Sequence, residues 1–369
     1  MMQQDKVRVA TFNVALARNK RRQLARELAS GLQQARNLAH ILQQVRPDIV
    51  LLNEFDHQGE EAGLLLFCQE YVAQGAQALH YPFYYLVPSN TGVLAPLALQ
   101  GSDVPTLPRD GLGFGHFPGQ YAMVILSRFP FLIEQSRSFQ HFLWKDMPSA
   151  RLPSTAEGAY YAQSVLDILP LSSKNHLDLP VQLPNGTLLH LLASHPTPPI
   201  DEGDERRNSC RNHDELRLWH DYIRPSKSDY LYDDKGKRGG LAPSHPFIIL
   251  GDLNADPRDG DGFRSAINHL LSEPLLNQAV TKGHLQPKAR GGYGLKLRHA
   301  RSGSPKVWTH SQGLRLDYVL PSSELKVTAT GVYWPLPNEQ DSELFWNKRG
   351  WPARKASSDH RLVWLDIAL

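Results

Sequence analysis

Short apolar segments recur from one end of this chain to the other, and each of them stops at a carboxylate, an amide or an imidazole. The clearest example is FIILGDLNADP at 247–257, where four apolar residues run directly into Gly-Asp-Leu-Asn. A short apolar run that is bounded by turn residues is typical of a buried strand. Such a strand places Asp252 and Asn254 at its tip, where the catalytic groups of layered folds tend to gather.

The amino-terminal part of the chain predicts the opening of a layered α/β fold. VRVATFNVAL at 7–16 and DIVLLNEFD at 48–56 have the composition of strands. Between them, residues 18–46 repeat leucine and alanine at spacings of three and four, which predicts helix. Ser30-Gly31 predicts a break that divides this stretch into two helices. Strand, helix and strand in this order indicate helices packed on a sheet.

Further elements are predicted along the rest of the chain. VLDILPL at 165–171 and TLLHLLASHP at 187–196 are expected to pair as strands. RLDYVLP at 315–321 and RLVWLDIAL at 361–369 are expected to be late strands, and NHDELRLWHDYI at 212–223 is expected to be a helix.

Four stretches without hydrophobic periodicity are predicted to be long loops, at about 88–119, 140–164, 225–245 and 281–305. The sequence contains neither an internal repeat nor a clear linker. With 41% hydrophobic residues, the chain can build one large core. We therefore predict a single domain over residues 1–369.

Composition limits the partners that the protein can have. The 40 basic and 37 acidic residues give a net charge of +3, which neither demands nor excludes nucleic acid. The two cysteines, Cys68 and Cys210, are too few for a disulfide framework or a thiolate zinc cluster, and the sequence leaves open whether they are bridged. No apolar run approaches the roughly 20 residues of a membrane span, and we expect a monomer.

The opening residues, MMQQDKVRVATFNV, lack the apolar core of a secretion signal. Two compartments stay open at this point. The protein is either cytoplasmic, or it is secreted or periplasmic and its signal peptide has been removed.

Eight polar residues at the predicted strand ends form the candidate site: Asn13, Glu54, His195, Asp252, Asn254, Asp317, Asp359 and His360. They offer oxygens and imidazoles but no thiol, which suits Mg²⁺, Ca²⁺ or Mn²⁺ better than structural zinc. Taken alone, each has a plainer explanation, since Asp and Asn form turns, Glu lies at solvated rims and Ser-Ser-Asp-His caps helices. The functional interpretation rests on their order and number.

In this order, the residues resemble the pattern of the endonuclease/exonuclease/phosphatase superfamily. That group includes pancreatic-type deoxyribonuclease, AP endonucleases, sphingomyelinases and inositol polyphosphate 5-phosphatases. The match spans Val9 to Leu365. The resemblance implies an α/β (α+β) fold, a four-layer α/β/β/α sandwich with two mostly antiparallel sheets flanked by helices. It also implies a divalent-metal-dependent phosphoester hydrolase.

The resemblance also implies a role for each residue of the site. The implied metal ligands are Glu54, Asn13 and Asp359, for Mg²⁺ with Mn²⁺ or Ca²⁺ as alternatives. The implied catalytic residues are Asp252, which activates water, Asn254, which holds that water or a phosphoryl oxygen, His195 and His360, which contact the phosphate, and Asp317, which orients His360. AP endonucleases carry Tyr where this chain has His195, and Asp where it has Ala15. We therefore expect no abasic-site repair and a single metal ion.

Arg211 and Asn212 form a further candidate site. In ERRNSCRNHDELRLW at 205–219 they are expected to lie at a helix N-terminus, where backbone amides and the helix dipole favour an anion. A phosphate-binding role follows for both, and a plain surface arginine is the alternative for Arg211.

The substrate is the least constrained part of the interpretation. Residues 281–306 carry seven Lys or Arg and two His with no acid, which fits contact with DNA or RNA or, more simply, a solvated loop. We expect a nuclease or another phosphodiesterase. The alternatives are a phosphomonoesterase acting on a small or lipid-derived phosphate, and a non-catalytic binding protein with the same fold.

Overall fold

The computed structural model describes residues 5–101 and 104–369. Residues 1–4 of the opening stretch and residues 102–103 of the predicted 88–119 loop lie outside this range. The strands are β1 Lys6–Leu16, β2 Ile49–Phe55, β3 Phe83–Val87, β4 Met123–Ser127, β5 Arg137–Ser138, β6 Ser154–Thr155, β7 Gly158–Ala159, β8 His176–Gln182, β9 Leu188–Ser194, β10 Phe247–Asp252, β11 Asp317–Pro321, β12 Val327–Val332 and β13 Val363–Ala368. The helices are α1 Gln23–Ala29, α2 Gln33–Val45, α3 Ala62–Phe67, α4 Gln163–Leu166, α5 Arg207–Tyr222, α6 Arg264–Ser272 and α7 Gln278–Thr281.

Two large sheets form the centre of the molecule. The first has six strands in the order β12-β13-β1-β2-β4-β3, and the second has five in the order β11-β10-β9-β8-β5. Only the pairs β1–β2 and β9–β10 are parallel within these sheets. The expectation of two mostly antiparallel sheets is therefore confirmed.

The two sheets pack face to face, and helices cover their outer faces. Ile248 and Leu250 of β10 belong to the core that the first sheet shares with α1, α2 and α3. Phe247 and Ile249 of the same strand pack in a second core with α5 and α6. Because β10 is buried on both faces, its sequence shows no polar alternation. The predicted four-layer sandwich is thus confirmed.

Of the predictions for single elements, the helix break is confirmed and one strand pairing is wrong. The break at Ser30-Gly31 is confirmed, because α1 ends at Ala29 and α2 begins at Gln33. The pairing of 165–171 with 187–196 is wrong, since β9 pairs with β8 and the first segment begins in the short helix α4.

The strand β8 escaped prediction because it contains Pro180, and proline cannot donate a hydrogen bond within a sheet. The position tolerates proline because β5 pairs with β8 only at Leu177 and Asp178.

Two smaller questions from the sequence are also answered. Cys68 and Cys210 are free thiols, so they are not bridged. Within residues 5–101 and 104–369, no helix is both long enough and apolar enough to cross a membrane.

A buried ion pair joins the first strand to the last. The fully buried carboxylate of Asp366 in β13 accepts hydrogen bonds from Arg8 Nε at 2.6 Å and from Lys6 Nζ at 2.7 Å. Burial alone would raise the pKa of Asp366, but the bonds from Arg8 and Lys6 lower it. The ionised carboxylate therefore stabilises the folded chain.

We expect Asp366→Asn to lower the free energy of unfolding by about 2 kcal/mol at neutral pH, since charge-assisted hydrogen bonds are lost. Denaturant titration measures this change. A group with a lowered pKa stabilises the fold above its unfolded pKa and loses this effect as pH falls. The difference between variant and wild type should therefore shrink in acid. Lys6→Met, which removes the more exposed partner, should cost less, and an equal cost would contradict this account.

Candidate active site

Asn13 connects the two sheets at the ends of their central strands. Its amide nitrogen donates to Glu54 Oε1 and to Asp252 Oδ2, at 3.0 Å each, and its oxygen accepts from the backbone N–H of Ala15. Two carboxylates favour this orientation of the amide, because the oxygen in the same place would be repelled. Asn13 therefore holds together carboxylates from opposite sheets.

The backbone around Glu54 departs from a regular strand. Glu54 has a φ of +58°, and Ala15 on the neighbouring strand has a φ of +48°. The register between β1 and β2 shifts at this level. Left-handed φ values cost non-glycine residues on the order of 1–3 kcal/mol and are concentrated at functional sites. The shift lets both Asn53 and Glu54, which are adjacent in sequence, make hydrogen bonds on the side that faces the second sheet.

Asp252 is the last residue of β10 and is 1% exposed. The preceding Gly251 is required by close packing, because a Cβ there would lie 1.9 Å from the carbonyl oxygen of Ser194. Asp252 Oδ2 lies 3.4 Å from His195 Nε2 and 3.6 Å from His360 Nε2. Burial alone would raise the pKa of Asp252, but the charges of His360 and His195 lower it well below its usual range.

Asn254 reaches the same place by a turn. Strand alternation does not put Asp252 and Asn254 on one face, because β10 ends at Asp252. Asn254 has a φ of +50°, and its backbone N–H donates to Asp252 Oδ1 at 3.0 Å. Its side-chain nitrogen donates to the carbonyl oxygen of Pro196, next to His195. The carboxylate and the amide are thus brought together by an Asx-type turn.

His360 is held by a buried carboxylate, that of Asp317. His360 Nδ1 lies 2.9 Å from Asp317 Oδ2, which also accepts a hydrogen bond from the Thr309 hydroxyl. Burial would lower the pKa of His360, but Asp317 and Asp252 outweigh it and raise it to about 10. Burial raises the pKa of Asp317 to about 6. At neutral pH the imidazole is therefore charged, and its Nε2–H is directed toward Asp252.

The sequence interpretation missed His310, which lies against this pair. The rings of His310 and His360 are 4.5 Å apart, and His310 Nε2 is 3.4 Å from Asp359 Oδ2. Burial, and then the charge of His360, lowers the pKa of His310 to about 4. The sequence signal that could have identified His310 is the Thr-His pair at 309–310, which lies just before the predicted strand RLDYVLP at 315–321.

The structure places the implied metal ligands in two groups. Ligand atoms of Glu54, His195 and Asp252 lie within 4.8 Å of one another, and those of His310, Asp359 and His360 form another such group. Glu54 and Asp359 are therefore not in one group. The carboxylate oxygens of Glu54 and Asp252 are hard donors of the kind that Mg²⁺ or Mn²⁺ takes, whereas imidazoles suit softer cations. The group around Glu54 fits such a cation better, because it offers two carboxylates, whereas the other group offers one carboxylate and two imidazoles.

One cavity of about 770 Å³ opens above these residues. The predicted residues that line it are Glu54, His195, Asp252, Asn254, Asp359, His360 and Arg211. Asn13 and Asp317 are buried and hold lining residues in place.

The expected position of Arg211 and Asn212 at a helix N-terminus is wrong. Helix α5 begins at Arg207, so both residues lie in its second turn. The guanidinium of Arg211 donates to three backbone carbonyls, those of Leu112, Pro170 and Leu171, while part of it lines the cavity. Asn212 is fully buried, and its side chain donates to the carbonyls of Thr197 and Leu253. It joins the loops that follow β9 and β10.

Lys174 is a second lining residue that the sequence interpretation missed. It lies just before β8, in the polar segment SSKNH at 172–176. A polar segment at the start of a strand is a signal that could have identified this residue. The residue is 7% exposed and lines the same cavity as Glu54 and His195.

Comparison with solved structures gives likenesses over the whole chain at low identity. An endonuclease/exonuclease/phosphatase from Beutenbergia cavernae is 16% identical, with 99% of this chain and 72% of that chain covered and a TM-score of 0.49. The human Nocturnin catalytic domain with a bound sulfate anion is 17% identical, with 99% and 95% covered and a TM-score of 0.46. D. rerio TDP2 complexed with a single-strand DNA product is 14% identical, with 99% of each chain covered and a TM-score of 0.49.

With TM-scores this low, the family assignment rests on the sequence comparison. No curated protein matches the sequence. The model of the Endonuclease/Exonuclease/phosphatase family matches residues 10–360, which is nearly the whole chain and includes every residue of the site described above. The chain therefore belongs to the endonuclease/exonuclease/phosphatase family.

Proposed function

We propose that this protein is a divalent-metal-dependent phosphoester hydrolase that acts as a phosphodiesterase of the nuclease type. The observation that carries the proposal is the convergence of Glu54, Asp252 and His360 on one cavity. The carboxylate of Asp252 lies 3.6 Å from the charged imidazole of His360, and Glu54 lines the same cavity. Such an arrangement provides a place for a cation and a donor for a phosphoryl oxygen.

Glu54 is the proposed metal ligand. Asn13 fixes its carboxylate, and Asp252 lies close enough to add a second oxygen donor. Asp359 is proposed to act from the other side, where His310 holds it. A bound Mg²⁺, or Mn²⁺ or Ca²⁺ in its place, would supply Lewis-acid stabilisation of the phosphate.

The remaining roles belong to the protein's own side chains. Asp252 stays ionised because its pKa is lowered, so it can accept a hydrogen bond from the attacking water and orient it. Asn254 lies beside it on the cavity wall. His360 can donate its Nε2–H to a phosphoryl oxygen, and Asp317 keeps the imidazole charged and oriented for that bond. His195 is proposed to contact the phosphate from the opposite flank.

The surroundings of the cavity support a polyanionic substrate such as DNA or RNA. The acid-free basic segment at 281–306 borders the cavity, because Arg301 donates to the carbonyl oxygen of the lining residue Gln312. The backbone N–H groups of Ser302 and Gly303 bind the carboxylate of the lining residue Asp259. Basic residues at the mouth of a cavity attract a phosphate backbone.

The test is hydrolysis of a chromogenic phosphodiester beside the matching monoester. Protein stripped with chelator should be inactive and should regain diesterase activity when Mg²⁺ or Mn²⁺ is added. Cleavage of the monoester alone would replace the proposal by a phosphomonoesterase. Absence of turnover with both substrates and with DNA and RNA would favour a binding protein.

A further inference from the structure

Lys174 is a buried cation without a carboxylate partner. Within the described part of the chain, no carboxylate lies within ion-pair distance of its ammonium group, which also makes no hydrogen bond there. Burial lowers the pKa of Lys174, and the charges of Glu215, Glu54 and Asp252 oppose that effect. Buried lysines are rare unless they are paired, because an ammonium group loses its hydration.

Arg211 lines the cavity near Lys174 and is equally free of carboxylate partners in the described residues. Burial, the largest influence, lowers its pKa, and Glu215 opposes this. Its three bonds to backbone carbonyls use Nε and Nη2, so the N–H groups of Nη1 make no bond there. The guanidinium is therefore fixed in position with donors left over.

One buried carboxylate, that of Glu215, influences both Lys174 and Arg211. Glu215 is fully buried, and its two oxygens accept backbone N–H groups of Ser173 and Thr197. Its charge acts on Lys174 and on Arg211, so it balances only one of the two. The ammonium of Lys174 and the Nη1 group of Arg211 therefore leave several N–H donors unused on this wall of the cavity.

We propose that Lys174 and Arg211 form an anion subsite that holds a phosphate group of the substrate. The inference rests on the proposed function, because it takes the substrate to be a phosphoester. Arg211 donates to the carbonyl oxygen of Leu171, three residues before Lys174, and both side chains line the cavity that Glu54 and Asp252 also line. The pair therefore lies on the wall of the cavity that contains the proposed reacting centre. A phosphate has enough oxygens to bind the ammonium and the guanidinium together.

The group bound there is either the scissile phosphate or a neighbouring phosphate of the same substrate. Inorganic phosphate represents both, so it is the first probe. We expect Lys174→Met to weaken binding of inorganic phosphate to the metal-loaded protein by about tenfold, as measured by titration calorimetry. Lys174→Arg keeps the charge and should restore most of the affinity. Lys227→Met, on a separate cavity beside α5, is the matched control and should bind phosphate as the wild type does.

Michaelis constants for two dinucleotides then identify the phosphate. If the subsite holds a neighbouring phosphate, Lys174→Met should raise KM only for a dinucleotide with a terminal phosphate. If it holds the scissile phosphate, the variant should impair that substrate and its unphosphorylated counterpart equally. Either result supports the subsite.

Phosphate affinity in Lys174→Met equal to that of Lys227→Met would overturn the inference. The calorimetric result needs no turnover, so it stands apart from a failure of the proposed activity. If Lys174→Met does not fold, phosphate should protect Lys174 of the wild-type protein from lysine acylation, read out by peptide mass analysis. Equal labelling with and without phosphate would also overturn it.

Discussion

Asp252→Asn is expected to lower kcat for a phosphodiester by about a thousandfold, the middle of the range for a lost acid or base. Asparagine keeps the shape of the side chain and can still accept the bond from Asn13. It loses the negative charge that we propose orients the attacking water and that lies 3.6 Å from His360. Steady-state kinetics with the metal at saturation measures the effect on the chemical step.

The control for this variant is Asp229→Asn, which changes an exposed aspartate on the separate cavity beside α5. It should leave kcat unchanged. If Asp252→Asn kept its fold, as judged by circular dichroism, and retained wild-type turnover, Asp252 would have no part in activating water.

Glu54→Gln is expected to lower both metal affinity and turnover, each by about a hundredfold or more, because a neutral amide replaces the proposed anionic ligand. Titration calorimetry with Mn²⁺ reports the affinity directly. Excess metal should recover part of the activity, since the other donors of the group remain. Glu134→Gln, at an exposed position, is the control. Unchanged Mn²⁺ affinity in Glu54→Gln would remove this residue from the metal site.

The fold was predictable because its signals are local or ordered along the chain. Apolar strands such as 247–252 are recognised by composition, and the break at Ser30-Gly31 by turn residues. Most of the polar residues that were selected at strand ends line the cavity, because strand ends meet in layered folds.

The errors have physical causes that the sequence does not display. The start of α5 was misplaced because Arg206, in a left-handed conformation, precedes it without a capping side chain. A helix that lacks an N-cap signal gives no mark of its first residue. His310 and Lys174 were missed for a different reason. They reach the cavity through contacts that are distant in sequence, such as the bridge from His310 to His360.

The position of β1 has a consequence for the synthesis of the protein. This strand lies between β2, which follows it closely in sequence, and β13, which is made after the other strands named above. A growing chain can pair β1 with β2 early, but it must expose the other edge of β1 until residues 363–368 leave the ribosome. His360 leaves the ribosome just before residues 363–368. Nascent chains that lack residues 360–368 should therefore be inert toward phosphoesters and should depend on protection of that strand edge, so that activity begins only after these residues have been made.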